Sequence, residues 1–98
     1  KVEGIGYDFF PDVLDNNLIN TYIKVSDEDS FKTAKNLIKL EGLLVGGSSG
    51  TATYAALQVA QKLTENQNCL VILPDSIRNY LSKFVNDEWM IKNNFQKK

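Results

Sequence analysis

The sequence predicts an α/β fold, with parallel strands and flanking helices, and three observations predict it. Two short apolar runs, Leu43 with Leu44 and Val45, and later Cys69 through Leu73, have the length and near-continuous apolar character of buried strands. Between them Ala52, Ala55, Ala56, Val59, Ala60 and Leu63 recur at three- and four-residue spacing, which places a small apolar face along one side of a helix. The first run meets that helix through Gly46, Gly47, Ser48, Ser49 and Gly50, a turn built only of glycine and serine. Strand, turn, helix and strand with connections this short imply a right-handed crossover between neighbouring parallel strands.

Taken in order, the chain opens with Gly4, Ile5, Gly6, Tyr7 and Asp8, a two-glycine loop that reads either as a ligand contact or as an ordinary connection. Phe9, Phe10 and Pro11 end it, and Asp15, Asn16 and Asn17 supply a turn before residues 18–25, where Tyr22, Ile23 and Val25 suggest a short strand. Ser26 has the chemistry of a helix cap. Asp27, Glu28 and Asp29 follow in the first turn, Lys35 and Lys39 lie toward the other end, and Gly42 stands where the helix should stop. Phe31, Ala34, Leu37 and Ile38 form the face expected to be buried. The acidic run is read as a solvated helix start rather than as a metal site.

Beyond the central helix, residues 65–68 are a polar turn, and the strand that follows ends at Pro74, Asp75 and Ser76. Asp75 or Ser76 can cap a further helix with Ile77, Leu81, Phe84 and Val85 inward, and Asp75 is open to a second role at the strand end. Trp89, Met90 and Ile91 read as a packing patch. Residues 93–98 are polar and are expected to fray or to lead into a linker.

Composition narrows the function. The chain has 98 residues, 43% of them hydrophobic, which fits one small domain or part of a larger one. A net charge of −1 with no clustered basic residues before Lys97 and Lys98 gives no electrostatic case for nucleic acid. No apolar run approaches the roughly 20 residues of a membrane-spanning helix, and no signal peptide opens the chain, so a soluble cytoplasmic protein is expected. Lys1 in place of Met suggests a start inside a longer gene product. Cys69 is the single cysteine and is expected to be a buried, unreactive thiol. Histidine is absent, which removes Ser-His and Cys-His catalysis and most zinc sites.

The centre of interest is the corner at residues 46–50. Backbone amides at a helix start have no partner within the helix and carry partial positive charge, so they favour an anion or an acceptor-rich ligand. Absent side chains at Gly46, Gly47 and Gly50 would let that ligand approach, and Ser48 and Ser49 add hydroxyls. The same residues could serve only as a tight turn and a helix cap. A phosphate P-loop is excluded by the absence of Lys after the last glycine.

Three stretches, VEGIGYDF at 2–9, EGLLVGGSSG at 41–50 and VILPDSIRNYL at 71–81, together resemble the cystathionine β-synthase family within the fold-type II pyridoxal-phosphate enzymes, a group that includes cysteine synthase. The resemblance implies that residues 1–95 form the C-terminal portion of a three-layer catalytic domain of the tryptophan synthase β type, with 96–98 a polar tail or the start of a linker. It further implies a lyase with pyridoxal 5′-phosphate as cofactor, and L-serine and homocysteine as substrates that yield cystathionine. Ser48 would hydrogen-bond the pyridine nitrogen, with Gly47, Pro74 and Asp75 also at the cofactor. Gly4, Ile5, Gly6 and Tyr7 would form the substrate loop. The Schiff-base lysine is expected upstream, since none of the ten lysines here sits in a matching motif, and the chain alone is expected to be inactive. A homodimer completed by the remainder of the catalytic domain is implied as well. No stretch corresponds to the haem-binding segment of some members, so haem is not readable from these residues. Two other readings stay open: a cysteine-synthase-like enzyme, and a non-catalytic anion- or nucleotide-binding module using the helix start. A third is a fragment that folds only against a missing half, with Trp89 and Phe95 exposed.

Overall fold

The structure is a computed structural model that describes residues 1–5 and 11–97. Its longest element, α1 (Asp27–Glu41), begins and ends where local chemistry dictates. The Ser26 hydroxyl accepts the Asp29 amide at 3.1 Å, and three carboxylates in the first turn face the positive end of the helix. Gly42 closes it in the left-handed region at φ 68°, a conformation that a side chain would resist. Phe31 and Ala34 on its inner face are buried, while Leu37 and Ile38 are half-buried.

The second helix, α2 (Gly47–Ala60), starts four residues earlier than the periodicity predicts and takes most of the glycine-serine turn into its first turn. It crosses α1 where Gly50 lies against Ser30 and Ala34. A Cβ on Gly50 would run into the Ser30 carbonyl oxygen and stand 2.9 Å from the Ala34 Cβ, so only glycine permits the approach. Hydroxyls stitch the same crossing: Thr51 Oγ1 donates to Ser30 Oγ at 2.6 Å, and Ser30 Oγ donates to the Ser26 carbonyl at 2.8 Å. Burial in α2 is confined to this end. Ala52, Ala55 and Ala56 are half-buried, and Val59 and Ala60 are exposed.

The short strand expected at 18–25 and the parallel pair expected at 43–45 and 69–73 are not formed among the described residues. A single bridge joins Val45 to Ser76, and it is antiparallel, flanked by Gly46 N–H to the Asp75 carbonyl and Ile77 N–H to the Leu44 carbonyl, both at 3.2 Å. An apolar strand is stable only beside neighbours that take up its backbone groups and cover both faces. Residues 69–73 have no such cover here: Leu70 is 92% and Ile72 74% exposed. Cys69, on the same segment, is correspondingly exposed and not buried as predicted. Part of the 18–25 region begins instead as a 3₁₀ turn, Asn16–Leu18.

The C-terminal stretch is a 3₁₀ turn, Ile77–Tyr80, followed by a short helix, α3 (Asp87–Lys92). Ser76 caps the turn through its hydroxyl, which accepts the Arg78 amide at 3.0 Å. Phe84 is buried as expected, but with a 3₁₀ turn in place of the expected α-helix Tyr80 joins it inside while Leu81 and Val85 remain exposed. Asn86 caps α3, accepting from the Glu88 and Trp89 amides at 2.8 and 3.2 Å. Residues 93–95, expected to fray, are tied back to α3. Asn94 takes φ 64°, the Phe95 amide returns to the Met90 carbonyl at 2.8 Å and that of Asn94 to Ile91 at 3.0 Å, which is a Schellman closure with an apolar contact across it.

These pieces enclose one aromatic core. Phe31 of α1, fully buried, lies 5.4 Å from the Phe84 ring, 5.3 Å from Trp89, 5.5 Å from Phe95 and 6.0 Å from Tyr80. Trp89 and Phe95 are therefore packing residues, not the exposed patch that the fragment reading required.

Candidate functional site: the cavity beside Ser48

The start of α2 meets the segment around Asp75, and Asp75 decides what happens there. Its carboxylate accepts the Ser48 amide at 3.1 Å on Oδ2 and the Ser49 amide at 2.9 Å on Oδ1. Ser49 gives its hydroxyl as well, donating to Oδ1 at 2.6 Å and accepting the Asp75 amide at 3.4 Å. The anion drawn to this helix start is thus a side chain of the protein itself, placed against unpaired amides and the positive end of the helix dipole. Gly46 is the N-cap position and contributes no side-chain bond. Its lack of a Cβ is what lets Asp75 in, because that atom would meet the carboxylate and stand 2.6 Å from the Ser76 carbonyl. Burial acts to raise the Asp75 pKa, but the hydrogen bonds it accepts from Ser49, through hydroxyl and amide, and from Ser48 outweigh it and hold the carboxyl below its ordinary value.

Ser48, buried, forms one wall of a cavity of about 400 Å³ together with Asp75, Pro74 and Tyr80. Glu3, Gly4, Ile5 and Asn79 line the same space. Segments separated by up to 77 positions in the chain are joined here, since the Glu3 amide donates to the Tyr80 hydroxyl at 2.8 Å. Tyr80 is 1% exposed. Burial raises its pKa, the Asp75 and Glu3 carboxylates add to the rise, and the Glu3 amide and Lys83 only partly oppose it, so its hydroxyl stays protonated at neutral pH.

Of the predicted site residues, Ser48, Pro74, Asp75, Gly4 and Ile5 come together on this one cavity. Gly47 does not join them. Its missing side chain faces the aromatic core, where a Cβ would lie 3.0 Å from the Phe31 ring and 3.2 Å from Tyr80. Gly6 and Tyr7 lie outside the described residues. Glu3, Asn79 and Tyr80 were not read from the sequence as site residues. The signal for the last two was the Ser76 cap: three and four residues after it, a 3₁₀ turn returns the chain to the strand end.

The residues present fit one part of a pyridoxal phosphate and not another. Ser48 offers a neutral hydroxyl beside the apolar surfaces of Ile5, Pro74 and Tyr80, a donor set suited to a planar heteroaromatic ring with one ring nitrogen. The α2 amides cannot also hold its phosphate, because Asp75 already occupies them. No helix of the described residues is long and apolar enough to cross a membrane, and no group of metal-ligating side chains is found among them.

The chain belongs to the family of pyridoxal-phosphate-dependent enzymes, whose profile matches residues 1–75. Within that class it is similar to cystathionine β-synthases. The cystathionine β-synthase of Rattus norvegicus is 56% identical over 97 residues, covering 99% of this chain and 17% of the relative. That of Saccharomyces cerevisiae is 56% identical over 97 residues, covering 96% of this chain and 19% of the relative. An O-acetylserine-dependent cystathionine β-synthase of Bacillus subtilis is 43% identical over 83 residues, 85% of this chain and 27% of the relative. The chain therefore spans about a fifth of the length of the first two of these relatives.

Proposed function

We propose that this chain supplies the ring-nitrogen wall of the active site in a pyridoxal-phosphate-dependent lyase of the cystathionine β-synthase type. The reaction exchanges the β-hydroxyl of L-serine for the thiol of homocysteine and releases cystathionine and water. The observation that carries this reading is the convergence of the three family stretches on one cavity, with Ser48 on its wall and Asp75 behind it.

When bound, the cofactor supplies the electron sink for bond breaking at the amino-acid substrate. The chain's own residues do the rest of what is proposed here. Ser48 would hold the ring nitrogen with a hydroxyl rather than a carboxylate, a partner that would not keep a pyridine nitrogen protonated and would moderate the electron sink in favour of β-elimination. Asp75 fixes the backbone from which the hydroxyl projects. Gly4 and Ile5 line the substrate side, and the substrate-loop role extends in this proposal to Gly6 and Tyr7. Residues 1–95 act as the C-terminal portion of the catalytic domain, with the lysine that anchors the cofactor on polypeptide outside this chain, so the chain alone is inactive. A cytoplasmic homodimer completes the proposal.

The anion-binding alternative has lost its site, since Asp75 fills the helix start. The cysteine-synthase-like alternative differs in its donor. O-acetylserine, which appears in the name of the Bacillus relative, is assayed beside L-serine to separate the two. The decisive experiment replaces Ser48 in the complete enzyme. Ser48→Ala should lower kcat about 100-fold and move the bound-cofactor absorbance, and Ser48→Asp should move that absorbance further by protonating the ring nitrogen. Kinetics and spectra identical to the unaltered enzyme would remove Ser48 from the mechanism.

A further inference from the structure

The part of the cavity lining that Glu3, Gly4 and Ile5 supply is held by the C-terminal stretch. Glu3 is fastened at two points to the C-terminal stretch: its amide donates to the buried Tyr80 hydroxyl at 2.8 Å, and its carboxylate accepts Lys83 Nζ at 3.0 Å. Lys83 in turn sits over the Tyr80 ring, 5.6 Å from its centroid, so one cation braces both partners. Gly4, the next residue, has φ 83°, a left-handed turn that directs the backbone of Gly4 and Ile5 along the cavity. Lys83 lies on the outside of this arrangement, its side chain 32% exposed.

We propose that Tyr80 and Lys83 are positioning residues that set the backbone of Glu3, Gly4 and Ile5 against the cavity, and through it the affinity for the amino-acid substrate. The proposal rests on the cavity being the substrate side of the site described above. Tyr80 fixes the height of the Glu3 backbone, because its hydroxyl is immobilised in the aromatic core by Phe31 and Phe84. Lys83 fixes the direction of the Glu3 side chain and neutralises a carboxylate that would otherwise sit unpaired at the wall of a site for an amino acid. The expected consequence is a weaker substrate complex, without loss of the cofactor, when either contact is removed.

The test uses the complete enzyme and has two arms. In hydrogen exchange, Tyr80→Phe removes the acceptor of the Glu3 amide while keeping the ring, and that amide should exchange at least about ten-fold faster with the core amides of residues 30–34 unchanged. In kinetics, Lys83→Glu should raise KM for the amino-acid substrate by about two- to five-fold, the range of a partly exposed ion pair, with cofactor absorbance and kcat unchanged. The charge-swapped pair Glu3→Lys with Lys83→Glu should bring KM back to within about two-fold of the starting value. Unchanged exchange at Glu3 in Tyr80→Phe overturns the proposal, and so does a Lys83→Glu defect that the swap does not repair. Absence of cofactor absorbance in the unaltered enzyme overturns the functional reading instead, and the exchange arm then still decides whether Tyr80 holds Glu3.

Discussion

Asp75 is the residue on which the local argument turns, because a single carboxylate caps a helix 26 and 27 positions away in the chain and thereby fixes Ser48. Its pKa lies below the ordinary value of 3.8. A depressed carboxyl contributes stability that is fully present above the unfolded pKa and is lost as pH falls through the lower folded one. The contribution of Asp75 should therefore be full and independent of pH near neutrality and should be lost below about pH 4, steepening the acid limb. Asp75→Ala should cost about 1 kcal/mol at pH 7, the usual cost of losing a helix cap, and Asp75→Asn less, because its amide oxygen still accepts one backbone N–H. Both substitutions should flatten the acid limb. Melting temperatures of each variant across the acid range check this, and acid limbs parallel to that of the unaltered protein would show that the carboxylate is not what holds the α2 start.

At the scale of elements, the glycine that ends α1 and the glycine at its crossing with α2 are expected to fail in different ways. Gly42 takes a left-handed φ of 68° with open space where a side chain would stand, so Gly42→Ala should cost about 1 kcal/mol in backbone strain alone. Gly50 has an ordinary helical backbone but no room, so Gly50→Ala should cost about 1–3 kcal/mol by forcing α2 away from Ser30 and Ala34. Chemical denaturation ranks the two, and Gly50→Ala milder than Gly42→Ala would contradict the packing described. The same contrast explains what was legible in the sequence. The limits of α1 were readable because Ser26 and Gly42 act through bonds only a few positions long. The early start of α2 was not, since its cap comes from Asp75, and neither was the 3₁₀ turn at Ile77–Tyr80 that hid Asn79 and Tyr80 from the site. Apolar runs at 43–45 and 69–73 have the composition of strands, but composition does not supply the neighbours a ladder requires. The cavity itself was legible as three separate motifs whose meeting only the fold shows.

The whole molecule is unevenly consolidated. Around Phe31 the packing is that of a finished core, whereas Leu44, Leu57, Leu70 and Ile72 are each more than half exposed. The Cα radius of gyration is 14.5 Å, against about 13 Å for a compact domain of 100 residues. Apolar surface on this scale marks an interface rather than a solvent face, and Leu44, Leu70 and Ile72 lie in the segments whose composition predicts strands, with Leu57 added from α2. The expected covering surface is the remainder of the catalytic domain, as the functional proposal requires. The chain on its own should then show strong amide protection only near residues 30–34 and 80–90, with residues 57–73 exchanging freely and binding a hydrophobic dye. In the complete enzyme, protection should extend across 43–45 and 69–73 and dye binding should disappear. Equal protection of 69–73 in the two forms would mean that this segment is stable without a neighbour, and the sheet inferred for the larger domain would lose its physical reason.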